Sequence, residues 1–156
     1  DSVIKANDAI GKGDGKDENK PEYQYGALGF AWKSFADYAE SYKLANYKDY
    51  YQNSLAAYEK GIELSKRKNN LFLENAAKMA IHSDDYVKAE DYFKETLSLT
   101  AGDIVIYGEL ADLYEYNMHK SKAEVIAVYD KGISKALDAG KLTKRKAEYL
   151  KRVEGK

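Results

Sequence analysis

Two histidines, His82 and His119, are the only residues that could supply an imidazole for metal binding or proton transfer. A histidine forms a metal or catalytic site only together with other groups close to it, such as carboxylates or thiolates. Asp84 and Asp85 follow His82 closely, but their spacing matches no specific metal motif, and the chain has no cysteine. We therefore interpret both histidines as solvent-exposed turn residues and predict no metal site.

The segment 13–19, GDGKDEN, has the acids and glycines of a calcium loop at first sight. A calcium loop has acidic residues at every second position, then a glycine, and a glutamate at a set distance after it, and this segment lacks that order. No apolar strand precedes its glycines, as a phosphate-binding loop requires, and no serine lies in a nucleophile-elbow motif. We predict that the chain is not an enzyme and binds no cofactor, with a helical enzyme as the most remote alternative.

The charge balance and the hydropathy argue against binding to nucleic acid and against a membrane-spanning protein. The chain has 25 basic and 26 acidic residues, a net charge of −1, so it has no general attraction for nucleic acid or anionic lipid. No apolar run reaches the roughly 18–20 residues that span a bilayer. The basic stretch 141–156 we interpret as a solvated helix face. We expect a soluble protein that is either cytoplasmic or exported with its leader removed, since the lack of cysteine fits both compartments.

Composition and spacing predict helices. A third of the residues are charged and there is one proline, which suits long helices. A short helix is predicted at 2–10, followed by a linker to residue 20. After the linker, apolar residues three and four apart predict seven helices and no strand. The first helix is predicted from Pro21 to about Ala45, with an apolar stripe of Tyr25, Leu28, Trp32, Phe35, Ala39 and Tyr42. N-caps of later helices are predicted at Asn69 or Asn70, Asp84, Asp103 and Thr143.

A repeated phrase sets the period of the chain. The pattern Y-[ED]-K-G-I begins at Tyr58 and again at Tyr129, 71 residues later, and the segment that starts at Phe93 has the same order of residue character midway between them. The period is therefore about 35 residues, with two helices in each. The predicted helical domain, 21–156, then has units at about 21–68, 69–101 and 102–140. A helix at 143–153, with Ala147 and Leu150 as its main apolar residues, caps the last unit.

This pattern resembles the tetratricopeptide repeat, a two-helix unit of about 34 residues. The middle unit matches at Leu73, Ala76, Ala77, Ala80, Ala89 and Phe93, and the third unit matches at Tyr107, Leu110, Ala111, Tyr114, Val125 and Tyr129. The first unit matches at Tyr25, Leu28, Gly29 and Trp32, but 13 extra residues precede its second-helix aromatic, Tyr58. We predict longer helices there, or a small inserted turn. The turn of the third unit is about two residues longer than the family's.

The resemblance implies an all-α fold, an α-α superhelix in the form of a right-handed solenoid of about three helix pairs plus the capping helix. It also implies a concave groove, lined by the first helix of each unit, that binds a peptide or protein segment. Helical phase places on that groove Lys43, Glu74, Asn75, Lys78, His82, Glu109, Asp112 and Tyr116.

Some members of the family bind a C-terminal carboxylate with a clamp of Lys and Asn residues. Asn75 occupies the place of the middle Asn, but Val105 and Glu109 stand where two cations should be, and an acid there repels a carboxylate. We therefore expect an unknown protein or peptide partner that is basic or mixed in charge and contains aromatic residues. The alternative is an assembly module that forms homo-oligomers through exposed helix faces, favoured if the tyrosine-rich first unit has an open apolar patch.

Overall fold

A computed structural model of the chain describes residues 20–155, and within that range the protein is all-α, with seven helices and no strand, as predicted. The helices are α1 (Pro21–Ser41), α2 (Tyr47–Leu64), α3 (Asn70–His82), α4 (Tyr86–Leu99), α5 (Ile104–Asp112), α6 (Lys122–Lys135) and α7 (Gly140–Glu154). A π-helical turn, Leu113–Asn117, continues α5. The helix predicted at 2–10 and the segment 13–19 lie outside the described residues.

The chain divides into two units within α4, so that one unit ends at Tyr92 and the other begins at Phe93. In the first unit α2 packs against both α1 and α3, and in the second α7 packs against both α5 and α6, which also pack against each other. Each unit has its own buried side chains. They include Tyr51, Ile62, Leu73 and Met79 in the first unit, and Phe93, Ile106, Val125 and Leu142 in the second.

Two of the predicted N-caps are confirmed. The Asn69 side chain accepts a hydrogen bond from the Phe72 N–H at 3.2 Å, and the Asp103 side chain accepts one from the Val105 N–H at 2.9 Å. These bonds satisfy backbone donors that have no partner within the first turn of a helix. The two caps therefore fix where α3 and α5 begin.

The other two predicted N-caps are wrong. Asp84 has a left-handed backbone, with φ of 61°, and Asp85, one residue later, accepts from the Lys88 N–H at 3.2 Å. Thr143 lies inside α7, because its N–H already donates to the carbonyl oxygen of Ala139 at 2.8 Å. A capping residue must stand just outside the helix that it begins.

The extra residues of the first unit lie mainly in its helices, as predicted. α1 has 21 residues and α2 has 18, against 13 in α3 and 14 in α4. α1 ends at Ser41, earlier than the predicted Ala45, and the turn 42–46 that follows is longer than the connection 83–85.

The longer turn predicted for the third repeat has two parts. The π-helical turn Leu113–Asn117 takes up one extra residue, because a π turn holds one residue more than an α turn. The connection 118–121 is also one residue longer than 83–85.

The repeated phrase contributes to helix packing, as expected from its residues. Tyr58 and Tyr129 are both buried. A Cβ added to Gly132 would lie 2.6 Å from Cγ and 2.8 Å from Cβ of Tyr107, distances that no side chain can occupy without displacing its neighbour. Glycine at this position therefore allows α6 to approach α5 closely.

The apolar side of α7 differs from the prediction. Leu142 and Tyr149 are buried, whereas Ala147 is exposed and Leu150 is only partly buried. The helix begins at Gly140, earlier than predicted, which brings Leu142 into its first turn. From there Leu142 reaches the space above Gly132.

Candidate protein-interaction surface

The predicted groove residues of α3 lie on one side of that helix. Most of their side chains form hydrogen bonds or ion pairs with other residues of this chain. Lys78 Nζ lies 2.6 Å from Glu74 Oε1, and the Asn75 side chain donates to the carbonyl oxygen of Leu71 at 2.8 Å. Leu71 itself is 57% exposed on the same side. This side of α3 therefore combines an exposed apolar residue with polar groups that already have partners.

His82 is exposed, as predicted, but it belongs to a polar cluster. Its ring stacks on Tyr51 with 4.1 Å between centroids, and its Nδ1 lies 4.0 Å from Glu40 Oε2. The buried Tyr51 hydroxyl lies 2.7 Å from Glu40 Oε2 and 2.9 Å from Asp37 Oδ1, and it donates its single proton to one carboxylate at a time. The cluster links α1, α2 and α3.

The cluster changes the acidity of two of its members. Burial raises the pKa of Tyr51, and the hydrogen bonds to Glu40 and Asp37 raise it further. Burial alone would raise the pKa of Asp37, but hydrogen bonds from Lys33 and Tyr51 outweigh burial and leave that pKa below its usual value. The ionised form of Asp37 is therefore favoured in the folded chain.

We expect Tyr51→Phe to lower the free energy of unfolding by about 1 kcal/mol at pH 7. The pKa of Asp37 is lower in the folded state than in the unfolded state. The ionised Asp37 carboxylate therefore contributes its full stabilisation of the fold above the unfolded pKa of about 3.9. The effect is lost as the pH falls through the folded pKa. The difference between wild type and Tyr51→Phe should therefore shrink in acid.

Urea denaturation at neutral and at strongly acidic pH measures this difference. Tyr42→Phe, which removes a hydroxyl from an exposed ring, is the control and should change little at either pH. An equal loss at both pH values for Tyr51→Phe would contradict the assigned hydrogen bonds.

In the second unit, α7 contacts part of the predicted groove face of α5. Asp112 Oδ2 accepts a hydrogen bond from Arg145 at 2.6 Å, and the guanidinium of Arg152 lies 5.7 Å from the centre of the exposed Tyr116 ring. Glu109 is only partly exposed. A charge reversal at Asp112 would therefore break an ion pair within the chain as well as alter any binding surface.

The remaining predicted groove residue, Lys43, lies in the turn after α1. Its backbone is left-handed, with φ of 56°, and its N–H donates to the carbonyl oxygen of Glu40. Lys43 is exposed, but it is part of neither α3 nor α5. The structure thus places it in a turn and not on the first helix, where it was predicted.

Several cations of the basic helix α7 have acidic partners in the same unit. Lys146 Nζ lies 2.5 Å from Asp130 Oδ1, and Arg152 binds Glu115 with two nitrogen atoms. With the pair between Arg145 and Asp112, these contacts tie α7 to α5 and α6. They favour our interpretation of this stretch as a helix that covers the end of the second unit.

An exposed, mainly aromatic surface of the first unit lies on α1, and none of its residues was predicted as a binding residue. We call it the α1 face; it consists of Tyr23, Ala27, Phe30, Ser34, Tyr38, Ser41 and Tyr42. All seven residues are exposed and none is charged. Phe30 is 64% exposed and Tyr42 is 66% exposed. The rings of Tyr38 and Tyr42 pack together with 4.5 Å between centroids.

The predicted core stripe of α1 is correct only in part. Leu28 and Ala39 are buried, but Phe35 is 48% exposed and Tyr42 is 66% exposed. The sequence did contain a signal for the second surface, since Tyr23, Phe30 and Tyr38 recur with helical spacing. A large apolar patch on a second side of a helix often marks an interaction site.

Comparison with known proteins does not assign the chain to a family. No protein-family model matches it, and a search of curated proteins found no significant match. The resemblance to the tetratricopeptide repeat stays a prediction that rests on the residues quoted for it.

The described residues show neither a metal site nor a membrane-spanning helix. Within residues 20–155, no group of three or more acidic or histidine side chains is arranged to hold a metal ion. In the same part of the chain, every helix is too short or too polar to cross a membrane.

Proposed function

We propose that this chain is a non-catalytic protein-interaction module and that the α1 face is its contact surface. The observation that carries the proposal is the exposure of four aromatic rings, three on one side of α1 (Tyr23, Phe30 and Tyr38) and one at its C-terminal end (Tyr42). Soluble monomers rarely leave a large contiguous apolar patch in contact with water unless it has a function. Tyrosine and phenylalanine are also enriched in the centres of protein interfaces.

We extend the proposal to the fold family, a superhelix of tetratricopeptide type. Supporting it, the capping residues Asn69 and Asp103 are 34 positions apart, and so are the buried residues Leu73 and Tyr107. This offset equals the family period of about 34 residues. The module would then be built from repeated helix pairs, with α7 as the cap.

A second candidate function is the binding of a peptide along the exposed side of α3. Leu71, 57% exposed, would contact an aromatic residue of the peptide, and the neighbouring pair of Glu74 and Lys78 would suit a partner of mixed charge. Leu71→Asp tests this candidate, because it removes the apolar contact and leaves that ion pair in place. Loss of a partner with Leu71→Asp, but not with changes in α1, would favour the α3 side.

The main proposal predicts that two acidic substitutions on the α1 face abolish partner capture. The bait carrying Phe30→Asp and Tyr38→Asp is compared with wild type in a pull-down analysed by quantitative mass spectrometry. The lysate is supplemented with a differently tagged copy of this chain. The control bait carries Val87→Asp and Leu99→Asp, which also add two acids at exposed apolar residues, here on α4.

We expect at least one protein to be retained by wild type and control and to be lost from the α1 bait by about tenfold or more. Circular dichroism should show unchanged helicity in all three baits. If the three baits retain the same proteins, the α1 face is not the contact surface and the proposal fails.

A further inference from the structure

The area of the α1 face is close to what a protein interface requires. The exposed parts of its four rings amount to on the order of 500 Å². A specific interface buries about 800 Å² on each partner. The rings and the small residues between them would thus supply most of one side of such an interface.

Residue size alternates along the α1 face. Going along the helix, the large rings Tyr23, Phe30 and Tyr38 are separated by the small residues Ala27 and Ser34, and Ser41 follows. All of these residues are exposed on the same helix. Two helices pack well when the large residues of one meet the small residues of the other.

A second copy of the same face fits this alternation if the two helices run antiparallel. A two-fold axis near residue 32 places Phe30 opposite Ser34, Tyr38 opposite Ala27 and Tyr23 opposite Ser41 of the other copy. A parallel pair would instead place each ring on its own equivalent and leave the small residues facing one another. Because each copy of the antiparallel pair uses the same surface, the pair is complete as a dimer and leaves no second copy of this surface free for a third chain.

We infer that two copies of this chain pair through the α1 face in an antiparallel arrangement with its axis near residue 32. This inference rests on the proposed function, because it names the partner of the same surface. The seven residues of the face carry no charge, and the charged residues beside Phe30, Lys33 and Asp37, pair with each other, so pairing buries no ion without a partner.

Sedimentation equilibrium of the full chain, from about 1 to about 300 μM, tests the inference. We expect wild type and the variant with Val87→Asp and Leu99→Asp to form dimers with the same dissociation constant. Phe30→Asp with Tyr38→Asp should raise that constant by about 100-fold or more. Ser34→Glu keeps every ring and adds two like charges near the axis, so it should raise the constant by about tenfold.

A wild-type chain that is monomeric over the whole range overturns the inference. In that case the face is covered by a different protein or by residues 1–19 of the same chain, and the pull-down still decides the proposed function. A dimer that both α1 variants leave intact also overturns it, because the pairing then uses another surface. Unchanged helicity by circular dichroism makes either result interpretable.

Discussion

Phe93→Ala is expected to lower the free energy of unfolding by about 3–5 kcal/mol. The Phe93 side chain is completely buried, so its removal loses apolar contacts and leaves a cavity that the surrounding helices fill only in part. The repeat also assigns Phe93 to the aromatic packing position of the second helix, the position of Tyr58 and Tyr129 in the other copies. The measurement is chemical denaturation followed by circular dichroism.

Phe30→Ala is the matched control, since it makes the same change at a ring that is 64% exposed. Its cost should be below about 1 kcal/mol. Both variants are compared at the lowest usable protein concentration, so that self-association adds nothing to the stability. A loss below about 1 kcal/mol for Phe93→Ala would mean that the repeat places this ring wrongly.

Leu142→Ala should cost about 2–5 kcal/mol. Leu142 is 1% exposed and fills the space that Gly132 leaves open on α6. Its truncation should therefore loosen the packing of α7 on α6. Thermal and chemical unfolding of the full chain measure the effect.

Leu150→Ala tests the same helix with the same substitution. Leu150 is only partly buried, so we expect a loss of under about 1.5 kcal/mol. The spacing of apolar residues in the sequence predicts Leu150 on the packed side of the capping helix. A larger loss for Leu150→Ala than for Leu142→Ala would favour that prediction and contradict the observed orientation of α7.

The helices themselves were predictable from the sequence, because their signals are local. The caps at Asn69 and Asp103 and the spacing around Phe93 each depend on a few neighbouring residues. The boundaries near Asp84 and Thr143 were not predictable: at the first, Asp84 and Asp85 both have side chains that can cap a helix, and at the second the N-cap is Ala139, whose side chain cannot. In the first case the left-handed backbone of Asp84 moves the start of α4 to Tyr86.

The candidate surface was harder to predict, because helical phase shows which side a residue is on but not what covers that side. Asp112 has the phase of a groove residue, yet it binds Arg145 of α7. Phe35 has the phase of a core residue, yet almost half of it is exposed. Such outcomes depend on which helices become neighbours, and that information is spread over the whole chain.

Single cysteines in this cysteine-free chain test the pairing of α1 most directly. Ser34 and Ser41 are both exposed, and serine to cysteine changes the size of either side chain little. About an axis near residue 32, the two copies of Ser34 lie about 6 Å apart along the helix, and the two copies of Ser41 lie about 27 Å apart.

We expect a short bis-maleimide crosslinker to join Ser34→Cys chains into dimers and to leave Ser41→Cys chains monomeric, when each full-length variant is treated at the same concentration. Crosslinking of neither variant, or equal crosslinking of both, would contradict the antiparallel pairing of α1.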